Sequence, residues 1–257
     1  MITASGWSLP PKTLTLGNDE VHVWRASLDQ PESNVGELLA LLDSDERKRA
    51  ERFHFRKDRD HFIVARGILR VLLGLYLNRK PTEVSFSYSL FGKPALEHES
   101  GEHPIRFNLS HSHALSLYAF ACGREVGVDL EYARADFASE EIAERFFSDG
   151  EVAALRALDP NLKTEAFFNC WTRKEAYIKA RGEGLSHPLN SFAVSMIPGA
   201  PAALLSVEGD SDEIPRWALQ DLKPAPGYAA ALVVERHDWR LKCYEWPGGP
   251  SADRSAG

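Results

Sequence analysis

The chain has 257 residues, 44% hydrophobic and 26% charged, enough for one large domain or two compact lobes of a water-soluble globular protein. No apolar run reaches the roughly 20 residues of a membrane span, and a net charge of −7 excludes the broad basic footprint of a general nucleic-acid binder. Cys122, Cys170 and Cys243 are odd in number and widely spaced, which points to reduced thiols in the cytoplasm rather than a disulfide frame, and the stretch Met1–Trp7 lacks the basic and apolar blocks of a secretory signal.

After a polar leader, Val21-His22-Val23-Trp24 alternates as a short strand, and a helix follows through Leu38, Leu39, Leu41 and Leu42. Ser44, Asp45 and Glu46 open a second helix, since acids suit the positive end of a helix dipole. That helix gathers Arg47, Lys48, Arg49, Arg52, Arg56, Lys57 and Arg59 within an acidic chain. Two readings stand: a solvated helix face, or a surface that answers a phosphate. Phe62 to Leu77 is nearly all apolar, too short and too interrupted by Arg66 and Arg70 to cross a bilayer, and reads as the buried helix of a first lobe.

Val84, Phe86 and Tyr88 alternate as a strand, and Phe91-Gly92-Lys93-Pro94 turns the chain behind an exposed cation. A further strand, Ile105 to Leu109, runs into Ser110-His111-Ser112-His113, and Leu115 to Cys122 continues in strand style. No cysteine or third histidine stands near His111 and His113, so a hydrogen-bonding role for His111, structural or aimed at a phosphate, is favoured over zinc. Cys122-Gly123-Arg124 is a turn and divides the chain into an N-terminal lobe at 14–123 and a C-terminal lobe at 124–246, with a polar, disordered tail at 247–257.

In Glu125-Val126-Gly127-Val128-Asp129-Leu130-Glu131, the apolar residues share one strand face, so Asp129 and Glu131 point together to the other. They are either two solvated acids or a paired carboxylate site for a hard cation such as magnesium. Helical patterns follow at Glu140 to Phe147 and from Ser148 to Leu158. A third helix runs through Phe167, Trp171 and Ile178 to a stop at Gly182 and Gly184, with Glu175 and Lys179 one turn apart. Alone, those two residues read as an ordinary i,i+4 ion pair or as a catalytic acid and base. Strands recur at Phe192 to Met196, Trp217 to Leu219, Tyr228 to Glu235 and Trp239 to Trp246. Each half therefore runs from a strand through helices, the last one long, into several strands, as expected of two similar α+β lobes with a shared cleft.

Gly92-Lys93-Pro94, Asn108 to Ser112, Gly127 to Glu131 and Trp171 to Lys179, in this order and spacing, resemble the 4'-phosphopantetheinyl transferases of the large single-chain Sfp type. The resemblance extends from about Arg47 to the strands near Tyr228. It implies an α+β fold of two similar α/β lobes related by a pseudo-twofold, with coenzyme A in the cleft between them. It also implies a magnesium site of Asp129, Glu131 and Glu175, with Glu175 as general base and Lys179 at the coenzyme's diphosphate. Arg47, Lys93, Pro94, Asn108, Ser110 and His111 match cofactor-binding positions. His61 stands where the family often has an arginine, and as a mostly neutral imidazole it is a weaker phosphate contact.

The implied reaction transfers the 4'-phosphopantetheine arm of coenzyme A to a serine of an acyl- or peptidyl-carrier protein, releasing 3',5'-ADP. Attack on a diphosphate moves negative charge onto a leaving phosphate, which calls for a cation, and a serine nucleophile calls for a base, so the residue types suit the step. Ligand and base duties nevertheless compete on Glu175. The rival readings are a magnesium-dependent nucleotide phosphohydrolase and a non-catalytic module that binds nucleotide or a carrier domain. A transferase needs a docking surface, expected after Lys179 around Leu185 and Phe192. A monomer in the cytoplasm, with neither nucleic acid nor membrane as partner, is the expected form.

Overall fold

The structure is a computed structural model and describes residues 6–97, 103–182 and 187–248. Leu185 and the tail beyond Gly248 lie outside the described residues. In chain order the elements are β1 (Glu20–Ser27), α1 (Glu32–Leu41), α2 (Ser44–Glu51), α3 (Arg56–Leu77), β2 (Phe86–Tyr88), β3 (Pro94–Leu96), β4 (Ile105–Ser112) and β5 (Leu115–Cys122). They continue with β6 (Val126–Tyr132), α4 (Glu140–Phe146), α5 (Asp149–Ala157), α6 (Pro160–Arg181), β7 (Phe192–Val194), β8 (Leu204–Val207), α7 (Glu213–Arg216), β9 (Trp217–Leu222), β10 (Tyr228–Glu235) and β11 (Arg240–Glu245).

Two sheets form, in the orders β11-β1-β5-β4 and β6-β10-β9, with small hairpins β2-β3 and β7-β8. The orders β1-β5-β4 and β6-β10-β9 are the same topology built twice. Each half contributes one 22-residue helix, α3 or α6. Strand alternation explains the layering. Val21, Val23, Leu117, Ala119 and Ala121 of the first sheet pack against Val126, Val128, Leu130, Leu232 and Val234 of the second, forming the central core. Trp24, Ala26, Tyr118 and Phe120 face the opposite way, onto α1 and α3. Ala231 and Val233 face α4, α5 and α6. The order of layers is therefore helix, sheet, sheet, helix.

The chain-order division at 123/124 meets one crossing. β11, in the second half of the sequence, lies parallel to β1 in the first sheet, with Glu20 opposite Arg240 and Arg25 opposite Glu245. The single basic helix expected from Ser44 through Arg59 is two helices. α2 is opened by a capping box in which Asp43, not Ser44, is the cap and Glu46 answers it. The chain then breaks at residues 52–55 before α3, where Phe53 folds back onto Phe62 with ring centroids 5.3 Å apart. Arg66 and Arg70 do not merely interrupt an apolar helix. Both are buried and bind the buried Glu46, at 2.7 and 2.6 Å, with Arg70 reaching Asp43 as well. α6 starts earlier than the apolar pattern suggests, because Asp159 caps it and Pro160 fills its first position. No helix among the described residues is long and apolar enough to cross a membrane.

Candidate active site

The two sheets meet edge to edge where β4 runs beside β6, and side chains rather than a backbone ladder join them. Every second residue of β4 contributes one rung. The Asn108 side-chain carbonyl accepts the N–H of Val128 at 2.9 Å. The Ser110 hydroxyl donates to Asp129 Oδ1 at 3.0 Å, and the Ser112 hydroxyl donates to Glu131 Oε2 at 2.9 Å. Period-2 geometry thus puts Asp129 and Glu131 on the face of β6 that looks away from the central core, as their alternation with Val126, Val128 and Leu130 requires.

α6 lies directly across that face. Gly127 makes this possible, since a Cβ there would stand 2.1 Å from the Ala176 carbonyl oxygen and 2.4 Å from the Ala180 nitrogen. The close crossing brings successive turns of α6 over the two acids. Lys179 Nζ donates to Asp129 Oδ1 at 2.6 Å and to the Ser110 hydroxyl at 3.0 Å. Lys179 is therefore the partner of Asp129 rather than of Glu175, its neighbour on the helix.

Leu109, Ser110, His111, Asp129, Glu131, Trp171, Glu175 and Lys179 line one open cavity of about 400 Å³. Burial, with the Asp129 and Glu131 charges, pushes the Glu175 carboxyl up to about 7, against the opposing pull of Lys179. Burial and the Asp129 charge also raise Glu131, while Ser112 holds it down. Withdrawal from water, with the Lys179 ammonium nearby, lowers the His111 imidazole. Asp129 is 3% exposed, and its Oδ2 is buried with no hydrogen-bond partner.

A second cavity of about 430 Å³ opens beyond the end of α6, lined by Tyr88, Ser89, Lys93, Pro94, Arg106, Glu125 and Arg181 among others. Lys93 Nζ donates to Glu125 at 3.2 Å and to the Ala180 carbonyl at 3.1 Å, and burial lowers its pKa. The turn before it is made by Gly92 at φ +79°, where a side chain would be strained.

The structure thus brings Ser110, His111, Asp129, Glu131, Glu175 and Lys179 to one cavity, and Lys93 and Pro94 to its neighbour. Two of the expected residues stand elsewhere. The Arg47 guanidinium donates to the carbonyls of Leu42 and Ala40, both at 2.9 Å, and so caps the end of α1. Asn108 is buried and spends its carbonyl in the seam. His61 pairs with Asp29 at 2.8 Å. Phe192, expected on a docking surface, is a core residue 1% exposed, packed on Tyr177. The three acids share a cavity, but no group of three or more His, Cys, Asp or Glu side chains among the described residues is gathered closely enough to hold a metal ion as it stands.

Several residues of the two cavities and their supports have no site role in the sequence reading, Trp171 being named there only as a helix and motif residue. Trp171 forms a wall of the first cavity, braced edge-on by Phe137 and Phe146 at 5.6 and 5.5 Å. Its place one turn before Glu175 was the available signal. Arg106 and Arg181 add cations to the second cavity, and Arg106 pairs with Glu125 at 3.1 Å. Lys174, between Arg173 and Glu175, is fully buried on Glu151 at 2.7 Å and the carbonyls of Leu189 and Phe192.

Comparison with known proteins adds three findings. Residues 125–233 match the model of the 4'-phosphopantetheinyl transferase superfamily, and residues 23–122 match that of the 4'-phosphopantetheinyl transferase N-terminal region. The chain is 42% identical over 240 residues to the 4'-phosphopantetheinyl transferase HetI of Nostoc sp., covering 93% of this chain and 98% of that one. It is 28% identical over 202 residues to the 4'-phosphopantetheinyl transferase Sfp of Bacillus subtilis, covering 79% and 86%. Among solved structures, the Thermotoga maritima holo-[acyl-carrier-protein] synthase is similar over 44% of this chain and 62% of that one, at 24% identity and a TM-score of 0.35.

Proposed function

The chain belongs to the 4'-phosphopantetheinyl transferase superfamily, and from that premise we propose that it is a holo-carrier-protein synthase. It moves the 4'-phosphopantetheine arm of coenzyme A onto a serine of an acyl- or peptidyl-carrier protein and releases 3',5'-ADP. Family membership selects the transferase over the phosphohydrolase and the non-catalytic module. The observation that carries the reading is one cavity in which Glu175, with a pKa near neutrality, lies one helical turn from the Lys179 ammonium and faces two further acids.

In the proposed step the carrier serine Oγ bonds to the phosphorus that bears the pantetheine arm. The diphosphate P–O bond on the adenylate side breaks, and its electron pair leaves with 3',5'-ADP. A serine hydroxyl attacks well only as its proton departs, and Glu175, as the carboxylate, accepts that proton; its raised pKa belongs to the metal-free site, and a bound cation would make it a weaker base. Lys179 stabilises the charge that gathers on the departing phosphate. Lys93, Arg106 and Arg181 line the adjoining cavity and supply positive charge toward the nucleotide phosphates. Ser110 and His111 line the same cavity as Glu175 and Lys179. Arg47 has no part in this proposal, because its guanidinium is committed to α1.

The donor set fits magnesium. It offers carboxylate oxygens only, one of them buried without a hydrogen-bond partner. The raised pKa of Glu175 comes first from burial and then from the Asp129 and Glu131 charges beside it. Asp129, Glu131 and Glu175 would hold the ion, which when bound neutralises diphosphate oxygens and makes the phosphorus more electrophilic. A single chain supplies both walls of the cavity, which supports a monomer, and the cysteine usage supports the cytoplasm.

The test is incubation with coenzyme A, magnesium and an apo carrier protein, followed by intact mass. A carrier gain of one phosphopantetheinyl group, lost when the carrier serine is alanine, is expected. No gain overturns the transferase reading. Glu175→Gln should abolish the gain in a folded chain, and near-normal turnover would remove Glu175 from the mechanism.

A further inference from the structure

We propose that Ser112 is a positioning residue for the magnesium site, fixing the Glu131 carboxylate so that one oxygen is held and the other is left to the ion. The inference rests on the transferase reading above. A hydroxyl has one proton and two lone pairs, so its use is decided by what occupies each. A lone pair of Ser112 accepts the backbone N–H of Tyr132 at 3.1 Å, and its proton goes to Glu131 Oε2 at 2.9 Å. Both partners belong to β6, although Ser112 itself belongs to β4 in the other sheet. The backbone contact anchors the oxygen and favours a proton directed at the acid, since turning the hydroxyl away would weaken the bond from Tyr132.

Ser110 repeats the device two residues earlier. It accepts from Lys179 Nζ at 3.0 Å and donates to Asp129 Oδ1 at 3.0 Å, and Asp129 Oδ2 is left buried with no partner. The same strand thus holds each acid through one oxygen from its own side. A purely structural rung at Ser112 would need only to accept from Tyr132, as Asn108 accepts from Val128. Donation to an acid that lines the cavity is the additional feature. Freezing a long carboxylate side chain before the ion arrives removes an entropy cost from binding. Residues that hydrogen-bond a ligand typically account for roughly 10–100-fold in metal affinity.

The experiment titrates the full chain with Mn2+ in the presence of coenzyme A, read by the electron paramagnetic resonance of free Mn2+ and corrected for Mn2+ bound to coenzyme A alone. Ser112→Ala should weaken Mn2+ binding roughly 10–100-fold, and Ser112→Thr, which keeps the hydroxyl, should restore it. Ser112→Cys, nearly isosteric but a weak donor, should fall between the two and serves if the alanine variant does not fold. Unchanged affinity in Ser112→Ala overturns the proposal, as does equal loss in the alanine and threonine variants, which would report packing alone. Absence of binding by the unsubstituted chain overturns the magnesium reading and the role of Ser112 with it. Carrier modification is scored separately. Loss of Mn2+ binding in Ser112→Ala, with no chain modifying a carrier, would support Ser112 while overturning the transferase reading.

Discussion

Gly127→Ala tests whether the close crossing of α6 over β6 builds the site. The added Cβ would meet the Ala176 carbonyl oxygen at 2.1 Å, the Ala180 nitrogen at 2.4 Å and the Ala180 Cα at 3.0 Å. All three are main-chain atoms, so no side-chain rotation relieves the clash. Carbon–oxygen contacts settle near 3.3 Å or beyond, so the helix must retreat by about 1.2 Å or β6 must buckle. Overpacking of this kind costs about 1–3 kcal/mol, and a backbone clash belongs at the upper end. For a chain of this size that lowers the melting temperature by roughly 6–12 °C. The retreat carries Glu175 and Lys179 with it, opening the 2.6 Å contact of Lys179 with Asp129. A displacement of about 1 Å can cost on the order of 100-fold in rate. Initial rates of carrier modification by intact mass, with calorimetric melting, measure both effects. A Gly127→Ala chain with parental melting temperature and rate would refute the reasoning.

Other predictions concern charge. In the metal-free chain Glu175 is raised from 4.5 to about 7, so the folded state binds this proton more tightly than the unfolded one. Its contribution to stability is full below about pH 4.5 and lost as pH rises through about 7, amounting to at most about 3 kcal/mol. Urea unfolding at pH 5 and pH 8 should show that loss in the parent and much less of it in Glu175→Gln; equal losses would count against it. Lys174→Met strands the buried Glu151 and frees the carbonyls of Leu189 and Phe192. It should cost about 3–5 kcal/mol in urea unfolding, partly recovered by adding Glu151→Gln; a neutral single variant would contradict the buried pair. Arg47→Ala separates a helix cap from a phosphate contact. Loss of about 1 kcal/mol with an unchanged KM for coenzyme A is expected, and a many-fold higher KM would return Arg47 to the nucleotide site.

The element order was legible because the alternation of Val126, Val128 and Leu130 against Asp129 and Glu131 survives intact in β6, and because Glu175 and Lys179 keep helical spacing in α6. What escaped depends on partners distant in sequence. Nothing local to Arg240–Glu245 says that it pairs in parallel with Glu20–Ser27. A charged residue in a helix reads as solvated, yet Lys174 is buried because Glu151 and two carbonyls receive its three protons. Arg66 and Arg70 are buried for the same kind of reason, with Glu46 between them. Arg47 carried the right charge for a phosphate, but the end of α1 lies close enough to claim it.

The position of the site follows from the way the two sheets meet. β4 and β6 are each the edge strand of a sheet, and an unpaired edge is a liability that folds must cover. Here the cover is polar side chains, so the junction places hydroxyls and carboxylates together where a backbone ladder would have left none of them in common. Asp129 and Ser110 consequently serve the seam and the cavity at once, and replacing either disturbs both. Glu175 makes none of the seam's hydrogen bonds and reaches the cavity from α6 alone. The division predicts different behaviour for the acids. Asp129→Asn should lower the melting temperature as well as the rate, because Lys179 and Ser110 lose their charged partner, whereas Glu175→Gln should remove the chemistry and leave the seam closed. Equal thermal destabilisation by the two substitutions would show that the seam does not depend on Asp129.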